Sequence, residues 1–143
     1  MPSSDNIIRE LRPTHTCFDD ALDYLALIAL AAPWTLERYT LVHGVCLTPW
    51  DAPYVHGWVE HGNFECVSGW LHRDQLVYCT IRRRDFYAEY RPQVTTRYTP
   101  AQAYRENLRT GHYGPWETSY REMILNDNKA GTRTWLSRTS TQK

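Results

Sequence analysis

Residues 16–33 read TCFDDALDYLALIALAAP, and the fold is decided by how this stretch is read. Phe18, Ala21, Leu22, Leu25, Ile28, Ala29 and Ala32 recur at steps of three and four, the spacing that lines up one face of an α-helix. Pro33 ends the run because it has no amide to continue a helical ladder. So apolar a helix is expected to be buried or nearly so. Thr16 is placed to act as N-cap, its hydroxyl accepting a first-turn amide, which leaves Cys17 at the first helical position. The greasiest run, Tyr24 to Trp34, falls short of the roughly 20 residues that a bilayer demands, so a soluble protein is expected.

Downstream of Pro33 the period changes. Tyr39 to Leu47 is rich in β-branched and aromatic residues and leads into the turn-like Thr48-Pro-Trp-Asp-Ala-Pro53, so a strand and a loop are expected. Val55 to His61 alternates, with His56, Trp58 and Glu60 on one face and Val55, Gly57 and Val59 on the other. Gly62-Asn63 offers a hairpin turn into Phe64–Ser68, and Leu76 to Ile81 follows the polar corner His72-Arg-Asp-Gln75. The middle of the chain thus reads as an antiparallel meander. Helix signals return at Asp85–Tyr90, at Thr99-Pro100-Ala101-Gln102 with its capping-box spacing and a stop at Gly111, and after Gly114-Pro115-Trp116, where Trp116, Tyr120, Met123 and Ile124 share a side. The expected fold class is α+β: an N-terminal helix packed on a small antiparallel sheet of about four strands, followed by C-terminal helices. Residues 1–13 read as a polar arm, 14–125 as one domain and 126–143 as a polar tail.

The 143 residues, 42% hydrophobic with six Trp and ten Tyr, suffice for a single core. Cys17, Cys46, Cys66 and Cys79 lack the close spacing of a zinc site, and the scattered histidines add no metal signature, so neither metal nor dissociable cofactor is expected. Met1-Pro-Ser-Ser-Asp5 lacks the basic start and apolar core of a secretory signal, which points to a cytoplasmic protein with reduced thiols. Charge is segregated: residues 1–80 carry four Arg against ten acids, and residues 81–143 carry twelve basic residues against six acids. A net charge of zero argues against a dedicated nucleic-acid binder, although Arg82-Arg83-Arg84 offers a short basic stretch for phosphate.

A thiol attacks acyl carbons as thiolate, and a helix N-terminus stabilises that anion, so Cys17 is the candidate nucleophile. His56, whose ring titrates near neutrality, is the candidate base. Cys17-Phe-Asp-Asp-Ala-Leu22 resembles the nucleophile helix of papain-like and transglutaminase-like cysteine hydrolases, and Val55-His-Gly-Trp-Val-Glu60 is similar to their His-Ala-Trp-Val-Glu strand. The resemblance covers roughly residues 14–90, in the same chain order. It implies a cysteine-dependent hydrolase or acyl transferase acting on an amide, isopeptide or ester bond of a protein or peptide. It also implies an Asp or Asn on the strand after the histidine, where this sequence departs from the pattern. Val77-Tyr-Cys79-Thr80 puts Cys79 at the expected acid position, and a second register puts Cys66 there, so the third member is Glu65, Asp74, a backbone carbonyl or none. Asp19 and Asp20, two and three positions after the sulfur-bearing residue, are expected to raise the Cys17 pKa. Trp58 and Trp70 are candidate groove residues, with core packing as their other reading. His43 and Cys46 point to opposite faces of a strand and read as structural, and His112 falls in a connector. The alternative function is an inactive relative that binds another protein as an inhibitor or effector of phage or plasmid type.

Overall fold

The computed structural model describes residues 11–14 and 16–129. Six strands form one antiparallel sheet: β1 (Leu11–Pro13), β2 (Tyr39–Leu47), β3 (Pro53–His61), β4 (Glu65–His72), β5 (Gln75–Arg82) and β6 (Val94–Tyr98). Around it lie α1 (Cys17–Ala31), a 3-10 helix over Pro33–Arg38, α2 (Arg83–Tyr90), α3 (Pro100–Thr110) and α4 (Thr118–Lys129). The mixed class and the antiparallel meander follow the sequence expectation, but the described residues contain six strands rather than about four. The two extra strands are β6, a short polar run between prolines, and β1, which lies in the stretch read as an arm. Neither has the apolar alternation that identifies a strand. α4 runs to Lys129, and the rest of the stretch read as a tail, 130–143, lies outside the described residues, as do residues 1–10 and 15.

Strand pairing decides where the functional residues meet. β2 and β3 pair over nine residues, from Tyr39 opposite His61 to Leu47 opposite Pro53, and β6 covers the other edge of β2. β4 pairs with β5 along its whole length but with β3 only at Val67, Cys66 and Glu65. Beyond Val67 the strands part, and β1 takes the vacated edge of β4, with Pro13 opposite Trp70. The chain then leaves β1 and enters α1 within four residues. This split delivers Cys17 between β3 and β4.

α1 packs on one sheet face: Ala21, Leu22 and Leu25 meet Leu41, Val59 and Val67. On the opposite face Val42, Cys46, Trp58 and Cys66 pack with Phe86 of α2. His43 and Cys46 therefore do point to opposite faces, His43 touching Phe18 of α1 at a ring-centroid distance of 4.9 Å. Two glycines let α1 approach closely. A Cβ at Gly57 would stand 2.8 Å from Phe18 Cδ1, and one at Gly69 would stand 2.8 Å from Asp20 Cβ. Only the first half of α1 is buried: Leu27, Leu30 and Trp34 in the 3-10 helix are exposed, so the helix is less enclosed than its composition suggests. Thr99 closes a capping box with Gln102, and Gly111 ends α3 in the left-handed conformation, both as the sequence indicates. Among the described residues no helix is long and apolar enough to cross a membrane.

Candidate functional site

A cleft of about 530 Å³ opens at the split end of the sheet. Cys17 and His56 both line it, with Trp50, Tyr54, Trp70 and Tyr90 forming much of its wall. Cys17 occupies the first residue of α1, and the backbone amide of Gly57 donates to its sulfur. That amide is available because β4 has left the edge of β3 there. Thr16 does not cap the helix in the expected way: its hydroxyl donates to the Asp20 carboxylate at 3.1 Å, and Thr14 donates to the same group. A carboxylate one helical turn on draws the hydroxyls off the first-turn amides.

The thiol is almost enclosed. Tyr120 and Ile124 of α4, Phe18 and Val55 pack around Cys17, which is 8% exposed. Burial pushes its pKa up to about 12; the Gly57 amide pulls the other way, and the charges of Asp20 and Asp19 add to the rise. The expected effect of the two aspartates is thus present, second to burial. His56 comes to the cleft from the other sheet face. Its half-buried ring stacks near Trp58 (centroids 5.7 Å apart), Phe86 (6.3 Å) and Tyr90 (5.9 Å), and burial lowers its pKa to about 4. Both groups are neutral at rest near pH 7. No hydrogen bond joins them, and no side chain hydrogen-bonds a His56 ring nitrogen among the described residues.

The expected third member is not at the cleft. Glu65 pairs with His61 at the hairpin end, its carboxylate 3.9 Å from His61 Nδ1. Five strand residues separate that point from His56, about 16 Å at the usual rise. Asp74 sits exposed in the β4–β5 turn at φ 64°. Cys66 lies buried opposite Glu60, and Cys79 is on β5 opposite Ser68, one strand farther out. The departure of β4 from β3 explains this: in a continued ladder the residue across from His56 would come from β4, but that segment pairs with β1 instead.

Trp70 lines the cleft, as expected of a groove residue. Trp58 does not: it is fully buried, and its indole donates to Glu60 Oε2 at 3.0 Å. Glu60 is the centre of a closed polar network, accepting also from Tyr87 at 2.6 Å, Arg97 at 2.7 Å and Arg83 at 3.1 Å. The Trp-Val-Glu part of the His56 motif is therefore a structural anchor. One of the three consecutive arginines, Arg83, belongs to it, and its guanidinium also lies over the Tyr87 ring, 4.3 Å from the centroid. Arg84 remains exposed beside Asp85.

Sequence reasoning missed Trp50, Tyr54, Tyr90 and Glu89 as cleft residues. A tryptophan in a loop bounded by Pro49 and Pro53 was the available signal. Arg91 fixes that loop, donating to the Thr48 carbonyl and the Asp51 carboxylate at 2.5 Å each. His112 acts within its connector: Nδ1 accepts from the Gly114 amide, and its carbonyl accepts from Trp116. No three His, Cys, Asp or Glu side chains converge as a metal-binding group among the described residues.

No family model, curated protein or solved structure matches this chain.

Proposed function

We propose that the chain is a cysteine-dependent hydrolase or acyl transferase acting on an amide, isopeptide or ester. Cys17 is its nucleophile and His56 its proton shuttle. The observation that supports this reading is the shared cleft: a helix-start sulfur, receiving one backbone amide, opens into the same cavity as an imidazole at a strand split. In the reaction, Sγ attacks the carbonyl carbon while His56 takes the thiol proton. Amides at the start of α1 receive the negative oxygen, and the leaving amine or alcohol departs with the proton from His56. Water or an acceptor amine then attacks the thioester, His56 takes its proton and returns it to the sulfur, and the thiol is regenerated.

The resting pKa values set the order of events. Burial raises the thiol to about 12 and lowers the imidazole to about 4, so proton transfer from one to the other is uphill at rest. Deprotonation therefore accompanies attack on the carbonyl, and no thiolate accumulates beforehand.

The same gap favours a second reading, an inactive protein-binding relative, because a buried thiol and an aromatic-stacked imidazole without a carboxylate serve packing equally well. Acyl transfer from p-nitrophenyl acetate separates the two. The hydrolase reading expects turnover that Cys17→Ala and His56→Ala each abolish while the folded circular-dichroism spectrum is kept; turnover retained in both variants removes the assignment.

A further inference from the structure

Taking the cleft as the acyl-binding site, we propose that it selects a peptide segment bearing an arginine or lysine side chain. Three features carry this. First, the wall is aromatic: Trp50, Tyr54 and Tyr90 present ring surface suited to the methylene stem and to the charged head of such a side chain. Second, the charged residues lining the cleft are both acidic, Glu89 at the end of α2 and Asp127 on α4. Glu89 is exposed, lies close enough to Tyr54 and Tyr90 to act on their hydroxyls, and has no arginine or lysine partner among the described residues. Third, the cation next to Tyr90 in the chain is already committed. Arg91 follows Tyr90 in the chain, but its guanidinium is bound to Asp51 and to the Thr48 carbonyl, where it pins the Trp50 loop against the end of α2.

The result is a preformed aromatic wall with an unclaimed carboxylate at its rim. A cationic side chain laid along it contacts ring faces first and reaches Glu89 with its head, whereas an acidic side chain meets like charge. A cavity of this size takes more than one side chain, which suits an extended peptide rather than a free amino acid.

The test uses full-length Cys17→Ala protein, so that binding is read without cleavage. Three peptides are titrated by tryptophan fluorescence: acetyl-Ala-Arg-Ala-amide, its citrulline analogue of nearly equal shape and no charge, and acetyl-Ala-Glu-Ala-amide. The Arg peptide is expected to bind about tenfold tighter than the citrulline peptide, and the Glu peptide more weakly than either. Glu89→Gln is expected to shrink the Arg preference to about threefold or less, and Glu89→Arg to reverse it toward the Glu peptide. Equal binding of Arg and citrulline peptides overturns the proposal, as does an Arg preference that Glu89→Gln leaves unchanged, or no binding by any peptide. Wild-type protein that binds the Arg peptide in this pattern but hydrolyses no ester or amide removes the hydrolase reading and keeps the cationic selectivity. Hydrolysis without charge preference does the reverse.

Discussion

Glu60→Gln removes the charge at the buried centre of this polar network and leaves the shape of the side chain. Burial alone would raise the Glu60 pKa, but the hydrogen bonds from Arg97, Tyr87, Trp58 and Arg83 outweigh it and hold the carboxyl near 2, against 4.5 for the free group. A difference of about 2.5 units corresponds to about 3 kcal/mol of folding free energy. The folded-state value lies below the unfolded one, so this stabilisation is complete above pH 4.5 and disappears as pH falls through 4.5 toward 2. Urea unfolding of wild type and Glu60→Gln, followed by tryptophan fluorescence from pH 2.5 to 7, reads it directly. The wild type is expected to be more stable by about 3 kcal/mol near neutrality, with the gap closing as the acid limit is approached. All other titrating groups are common to both proteins, so their contributions drop out of the difference. A gap that is independent of pH, or that widens toward acid, refutes the charge-network account.

His43 supplies an acid-side prediction of its own. Burial against Phe18, Tyr98 and Trp116 leaves both ring nitrogens without a partner and lowers the pKa to about 3, with the nearby charges of His56 and His112 adding to the effect. A depressed histidine costs stability once the unfolded chain begins to bind its proton, below about pH 6.5, so His43→Leu should show less acid loss, a difference of about 2 kcal/mol by pH 5 in urea melts. An unchanged pH profile counts against the buried neutral ring. Gly57→Ala should force Phe18 to shift, since the added carbon would stand 2.8 Å from its ring. It is expected to cost about 1–3 kcal/mol in thermal or chemical unfolding and to alter Cys17 accessibility, and a neutral effect contradicts the close approach of α1 to β3. Iodoacetamide should alkylate Cys17 slowly at pH 7.5 and faster with each rise in pH up to the limit of folding, as intact mass and peptide mapping would show. Rapid modification at neutral pH contradicts a thiol pKa near 12.

The first half of α1, the β2–β5 meander and the α3 caps were legible in the sequence because each is written in local periodicity or local hydrogen bonding. Phe18, Leu22 and Leu25 mark their own face, and Thr99 with Gln102 marks its own turn. What escaped local reading is what depends on distant pairing. β1 contains Pro13 and exists because β4 offers an edge that β3 has left. That same departure moves Glu65 away from His56 and sets Cys66 and Cys79 apart from it, so the acid position implied by resemblance lands elsewhere. Trp58 and Glu60 looked like features of a catalytic strand, yet their side chains bond to each other and to α2, β6 and their neighbours on the buried face. The closure of Cys17 by Tyr120 and Ile124 joins residues more than 100 positions apart, which no window along the chain contains.

The proposed chemistry has Cys17 accept an acyl group while His56 moves the proton. An arginine-containing peptide vinyl sulfone, which the sulfur captures by conjugate addition as a stable thioether, tests this when read by intact mass and peptide mapping. A single adduct on Cys17 is expected, forming at least about a hundredfold more slowly in His56→Ala, the scale expected when a positioned base is lost. Equal labelling of wild type and His56→Ala, or an adduct on Cys46, Cys66 or Cys79 in place of Cys17, would contradict it.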